Sequence, residues 1–348
     1  MYHLMSLLIS RALSSGSTIH GGTNAWLSRF IVLPVAALVF LGAACATAAT
    51  SVPSPEATAS PSPTPTVSPK IKVVATTTIL ADMAKNVGGD LVEVTSIVPA
   101  GADAHSFQTS PSHSLAIGQA AVIVSNGFGL DSFLDPVLAS AQQSSAVHVV
   151  AAQGLSAQPL EEMHISDDDP DHDHAHEHGA GDPHFWQDPT LAIHYVERIR
   201  NGLVQADPDN AQAYSSNADG YIQEIRDLDQ EIARTLSQVP PEHRHLVTFH
   251  DAFGYFARRY GWKVSAFVPS DASDVTPGAI VQVMERVKEE GIPAVFAEPQ
   301  FGSDVLEQAA RDTGIQVGII YSDTIDANVP SYIEMMRSNA RSLAQNLG

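Results

Sequence analysis

The sequence predicts an α/β protein made of two lobes, each a parallel sheet flanked by helices, joined by one long rigid helix. Three observations carry that expectation. Short runs that are apolar on both faces alternate with helix-like segments, the pattern of parallel strands covered on both sides. The alternation occurs twice, over residues 70–206 and again over 241–348. Between them, residues 207–240 form a single helical run with Asp207-Pro208 at its head as N-cap and first-turn proline; at 1.5 Å per residue it is on the order of 45 Å long, more than one domain needs. With 348 residues, 44% of them hydrophobic, the chain can bury two cores.

Taken in order, residues 1–44 read as an export signal. Arg29 precedes the apolar run 30–41 (FIVLPVAALVFL), which is too short to span a bilayer and has the length of a signal h-region. Gly42, Ala43 and Ala44 then lead to Cys45, the only cysteine. This resembles a lipoprotein signal in which Cys45 is acylated and anchors the exported chain to the outer face of the cytoplasmic membrane. Leu41 stands one place early for that pattern, and a plain secretory signal is the alternative. Residues 45–69 are rich in Pro, Ser and Thr, which makes an extended stalk. The formal net charge of −21 argues against a nucleic-acid partner and suits a protein that attracts cations.

In the first lobe strands are expected at 72–77, 92–98, 121–125 and 147–151, with helices at 79–87, 113–119, 131–141 and 189–205. In the second lobe strands are expected at 246–249, 263–268, 294–297 and 316–321, with helices at 252–260, 277–290, 303–313 and 330–346. One stretch departs from this rhythm: residues 163–189, MHISDDDPDHDHAHEHGAGDPHFWQDP. His164, His172, His174, His176 and His178 alternate with acids in a tract (164–181) that has too few apolar side chains to order itself, so weak accessory metal binding is expected there. A solvated acidic linker is the bland alternative. His184, by contrast, is followed by Phe185 and Trp186, which can anchor it in one place.

Ligands of open α/β sheets bind beyond the carboxyl ends of the strands. The metal-competent residues of the regular part fall there: His105 in the loop PAGADAHSF, His184 after the last strand of the first lobe, His250 ending LVTFH, Glu298 ending AVFAE and Asp323 after GIIYS. Each alone reads as a hydrogen-bonded rim residue. Several at equivalent strand ends of two facing lobes read as a site.

The phrases PAGADAHSF, DPHFWQDP, TFHDAFGYFARRYG, FAEPQF and YSDTI, in that order and with an acidic His tract before the second, resemble the zinc- and manganese-binding solute-receptor lipoproteins of ABC importers (cluster A-I), in particular the zinc-binding subgroup with a His-rich loop. The resemblance covers residues 70–348. It implies that His105, His184 and His250 are imidazole ligands, that Asp323 is the carboxylate ligand with Asp326 or water as alternatives, and that Glu298 supports them from behind. It also implies a monomer that binds Zn2+ as transported ligand, closes only slightly on it, and delivers it to an ABC permease and its ATPase. Ala104 replaces the proline usual in the first motif, which should loosen that loop, and His113 stands where an acid is common.

Three neutral imidazoles and a carboxylate make a closed tetrahedral site, whereas zinc hydrolases keep a position open for water. No HExxH, nucleophile elbow or phosphate loop occurs. A binding protein is therefore expected and not an enzyme; the alternatives are a manganese receptor of the same family, an exported zinc hydrolase or a passive metal-buffering surface protein.

Overall fold

Two four-stranded sheets, all parallel, have the same strand order. The computed structural model describes residues 69–141, 145–157, 181–268, 277–302 and 304–348. The signal, Cys45, the stalk and the histidines His164, His172, His174, His176 and His178 lie outside the described residues. The first sheet contains β1 (Ile71–Ala75), β2 (Val92–Ser96), β3 (Val122–Ser125) and β4 (Val147–Val150) in the order β2-β1-β3-β4. The second contains β5 (His245–His250), β6 (Lys263–Val268), β7 (Ala294–Ala297) and β8 (Gln316–Ile319) in the order β6-β5-β7-β8. In each lobe the chain runs outward in both directions from its first strand, which creates a crevice at the carboxyl ends of the two central strands.

Helices α1 (Thr78–Gly88), α2 (Pro111–Gly118), α3 (Asp135–Ala141) and α4 (Pro189–Ala206) belong to the first lobe. Helices α6 (Gly254–Tyr260), α7 (Pro277–Glu289), α8 (Asp304–Thr313) and α9 (Tyr332–Leu347) belong to the second. Their starts are written locally. Thr77 accepts from the Leu80 N–H at 3.3 Å, Asp188 from the Thr190 N–H at 2.8 Å ahead of Pro189, and Ser331 from the Glu334 N–H at 3.2 Å.

The spine is α5 (Ala211–Leu236), whose 26 residues span about 39 Å. It is shorter than the sequence suggests, because the run begins as a 3-10 turn at Pro208–Asn210. Asp207 does not cap it. Its carboxylate instead accepts from the buried Tyr214 hydroxyl at 2.7 Å and from Asn210 Nδ2 at 2.8 Å. A buried hydroxyl must find an acceptor, and here that need outweighs the exposed helix N–H groups, which water can satisfy.

The main hydrophobic core is continuous from one lobe to the other. It runs from Val73, Val122 and Val149 through α1, α4 and α5 (Tyr221, Ile225, Leu228, Ile232) to Phe253, Phe296, Tyr332 and Met336. Smaller cores cover the outer sheet faces, one on Ile97, Ile117 and Ile123, the other on Val247, Ile280 and Val295. Arg337 pairs with Glu231 at 2.9 Å between α9 and α5. Such surface pairs contribute about 0–1 kcal/mol, whereas each fully buried Ile or Leu contributes about 1.5–3 kcal/mol. Apolar burial therefore holds the spine to both lobes.

Helix α4 approaches β4 closely because Gly202 faces it: a Cβ there would lie 2.1 Å from Val149 Cγ2. Alanine would gain about 1 kcal/mol of helix propensity, but overpacking against a stiff β-branched side chain costs about 1–3 kcal/mol. Gly202→Ala is therefore expected to lower the thermal midpoint. Gly220→Ala at an exposed position of α5, where a Cβ meets nothing within 4 Å, should hold or raise it. Thermal unfolding of both variants without metal checks the pair, and equal shifts would contradict the packing argument.

Candidate metal centre

Four of the residues expected at strand ends converge between the lobes. One nitrogen from each of His105, His184 and His250 and one oxygen of Asp323 all lie within 4.8 Å of one another. His105 arrives on the loop after β2, His184 on the turn that opens α4, His250 as the last residue of β5, and Asp323 on the loop after β8. The chain leaves β8 early because the side chain of Asn339 on α9 takes both the N–H (2.8 Å) and the carbonyl (2.7 Å) of Tyr321. That capture turns residues 322–325 toward the first lobe.

The separations suit one ion. Asp323 Oδ2 is 3.2 Å from His250 Nε2 and 3.7 Å from His105 Nε2, Asp323 Oδ1 is 3.5 Å from His184 Nε2, and the two Nε2 atoms of His105 and His184 are 3.3 Å apart. Donors about 2.0–2.1 Å from an ion in a tetrahedron lie about 3.4 Å from each other. Both carboxylate oxygens of Asp323 and both ring nitrogens of His250 are buried without a well-aligned hydrogen bond. Polar atoms in that condition are costly unless something with charge joins them.

Behind the donors stands a set of carboxylates and amides. Glu298 accepts from the His250 N–H at 3.0 Å and brings its other oxygen to 2.7 Å from His250 Nδ1. It is itself held by the Ser322 hydroxyl and by Gln300 Nε2 at 3.3 Å. Phe301 stands edge-on to the His250 ring, 5.1 Å between centroids. In the first lobe Asp182 Oδ1 accepts from the His184 N–H at 2.9 Å and from its ring Nδ1 at 2.8 Å. Sequence reading singled out Glu298 and missed Asp182; the signal was the repeated Asp-x-His spacing of Asp103-Ala104-His105 and Asp182-Pro183-His184.

The aromatic anchors act as expected. Phe185 and Trp186 are buried, and Trp186 Nε1 donates to the Ser322 carbonyl at 2.8 Å, joined by Gln187 Nε2 at 3.0 Å. Phe185 also stacks on Tyr255 of the second lobe and lies 4.9 Å from Phe128. Phe128 adopts φ 52 between Gly127 and Gly129, a left-handed turn after β3 that no sequence motif announced. Next to it Asn126 donates to the Pro183 carbonyl at 3.0 Å.

Three other expectations concern individual residues. Asp326 faces away, accepting from the N–H groups of Asn328 (2.7 Å) and Val329 (3.1 Å) in a turn. Ala104 is fully buried in the main core, so the loop it was expected to loosen is anchored at that point. His113 takes no part in the site; its Nδ1 accepts from the Ser110 N–H at 3.1 Å in a capping box.

Burial and charge set the protons. Burial pushes His105 down to about 4, against the pull of Asp323. Burial also opposes charge on His250, but the Glu298 and Asp323 carboxylates outweigh it and hold His250 well above the usual imidazole range. Asp323 is held well below the carboxylate range: burial opposes its ionisation, and the facing imidazoles, His250 first, prevail. An imidazole must be neutral to ligate, so if His250 is a donor an incoming ion has to displace its proton. The sign follows: affinity falls as pH is lowered, by about tenfold per unit for one displaced proton, while His105 competes only near its own depressed range. Competition titrations between about pH 5 and 7 should give a slope near one proton per ion. A flat dependence would show that no proton is displaced and would contradict a charged His250 in the metal-free protein.

Comparisons with known proteins identify the family. The sequence model of the family described as "ZnuA: Zinc-uptake complex component A periplasmic" matches residues 73–346. The chain is 32% identical over 284 residues to the iron-binding protein YfeA of Yersinia pestis, covering 80% of this chain and 87% of that protein. It is 32% identical over 282 residues to the manganese-binding lipoprotein MntA of Halalkalibacterium halodurans, covering 80% and 88%. Among solved structures, the periplasmic zinc binding protein TroA from Treponema pallidum superposes with a TM-score of 0.70 at 26% identity, over 80% of this chain and 100% of that one. The chain therefore belongs to the ZnuA family of metal-binding solute receptors of ABC importers, which are binding proteins and not enzymes.

Proposed function

We propose that the chain is an exported receptor that binds Zn2+ with high affinity through His105, His184, His250 and Asp323 and delivers it to the permease of an ABC importer driven by its ATPase. The observation that carries zinc is His250. Its Nε2, 3.2 Å from Asp323, supplies a third imidazole and makes the donor set rich in nitrogen. Zinc favours such sites at four-coordination, whereas manganese prefers oxygen donors and a larger coordination number. The burial of His184, His250 and Asp323 supports the same reading, because it leaves little room for added water. The relatives favour a second reading: those 32% identical are named for iron and for manganese.

The same proposal includes a monomer held at the outer face of the cytoplasmic membrane through a lipid on Cys45, as the lipoprotein names of relatives such as MntA and PsaA of Streptococcus pneumoniae suggest. Among the described residues no helix is long and apolar enough to cross a membrane. The histidines His164, His172, His174, His176 and His178 act as weak accessory sites, since each capture must order the backbone that carries them.

Purified exported chain offered a mixture of divalent ions should retain one tightly held zinc, and deletion of residues 167–179 should remove weak binding while leaving that ion. No retained metal, or loss of all metal with the deletion, would sink the assignment. Retention of manganese or iron in preference to zinc would favour the second reading.

Competition on the deleted form separates the ions further. His250→Ala should lose more zinc affinity than the about ten- to hundredfold that outer partners of a ligand contribute. His250→Glu should keep a site and narrow the zinc-to-manganese ratio without reversing it, as the Irving–Williams order requires. Wild-type zinc affinity in His250→Ala would remove His250 from the donor set.

A further inference from the structure

We infer that Asp182 is a positioning residue for His184, fixing that imidazole in the tautomer whose Nε2 lone pair faces the ion, as the counterpart in the first lobe of Glu298 behind His250. The inference rests on the reading of His184 as a ligand. A carboxylate oxygen only accepts, so the 2.8 Å contact from His184 Nδ1 to Asp182 Oδ1 places the proton on Nδ1. In a neutral ring that leaves Nε2 as the lone pair, and Nε2 is the atom 3.5 Å from Asp323 Oδ1. The same Asp182 oxygen also holds the His184 N–H at 2.9 Å, which fixes main chain and ring together.

The second lobe places a carboxylate similarly. Glu298 takes the His250 N–H at 3.0 Å through one oxygen and brings the other to 2.7 Å from its Nδ1, close but without the aligned ring hydrogen bond that Asp182 makes to His184. The third imidazole lacks it. Asp103 stands two residues before His105, as Asp182 stands two before His184, yet its carboxylate goes to the His105 N–H at 2.9 Å and to the N–H and hydroxyl of Ser106, not to the ring. Sequence spacing alone therefore does not make a positioning carboxylate.

The surroundings of Asp182 account for the difference. Asp182 is 3% exposed, and its main-chain carbonyl accepts from the Tyr255 hydroxyl of α6 at 2.9 Å. Gly254 lies directly over its other oxygen, where a Cβ would come to 3.1 Å of Oδ2. The second lobe thus clamps the residue that orients the first lobe's ligand. Asp103 is only partly buried, and Ser106, which takes its second oxygen, is exposed.

The test reads the tautomer directly. Nitrogen NMR of the metal-free protein, with His184 assigned by comparison with His184→Gln, should show the Nδ1–H form in wild type. Asp182→Ala should shift His184 toward a tautomer mixture and weaken zinc binding by about ten- to hundredfold. Asp182→Asn, whose Oδ1 still accepts from both donors, should keep the tautomer and lose less, and it serves if the alanine variant does not fold. Asp103→Ala should leave the His184 tautomer unchanged. Tyr255→Phe should lower the thermal midpoint without moving the tautomer as far as Asp182→Ala does. An unchanged tautomer in Asp182→Ala, whatever happens to affinity, would overturn the inference, as would an asparagine variant as impaired as alanine. Zinc affinity left at the wild-type level by His184→Gln would instead overturn the ligand reading, and the metal-free tautomer would still report on Asp182.

Discussion

Asp323 is a carboxylate 3% exposed, and a charge in that position costs several kcal/mol unless opposite charge or strong donors meet it. Without an ion the nearest remedy is a proton on His250, whose ring sits between Asp323 and Glu298. On the proposed reading an incoming cation would replace that proton as the partner of a carboxylate whose oxygens are buried and otherwise unmet. The depressed His105 fits this arrangement: it remains a neutral donor, so the site does not accumulate like charges before the ion arrives.

The donor candidates come from four separate segments of the two lobes, so their spacing depends on how firmly the lobes are held. The carbonyl of Ser322, one residue before Asp323, receives Trp186 and Gln187 from the first lobe, and the Tyr332 hydroxyl of the second lobe donates to the Trp186 carbonyl at 2.7 Å. Thr78 at the start of α1 accepts from the Ile325 N–H at 3.0 Å. These bonds lie over a core shared by both lobes and the spine. Swinging the lobes widely apart would expose apolar surface at about 25 cal/mol per Å2 and strand buried polar groups. Small adjustments of loops would cost less.

Much was legible because it is local. Alternating apolar runs and helical periods marked both lobes, and the proline and cap residues before α4 and α9 are readable within four residues. Metal-competent side chains at strand ends pointed to one site, because parallel sheets bring those ends together whatever the loops between them contain. His105, His184, His250 and Asp323 were named on that ground and by resemblance, and the fold gathers them.

What the sequence by itself determined was the fold class, the spine and a set of metal-competent residues near strand ends, since these follow from periodicity, turn chemistry and residue type; which of them are donors came from the family resemblance. Tertiary structure alone decided which carboxylates serve which imidazole. Asp103 and Asp182 occupy identical spacings, but only Asp182 is covered by Gly254 and tied to Tyr255, so only it is directed onto a ring. It also decided that Asp207 serves a tyrosine hydroxyl and not a helix end, and that Asp323 faces the imidazoles while Asp326 closes a turn. The physical reason is the same in each case: a short polar side chain has several acceptable partners nearby, and burial by residues far along the chain removes all but one.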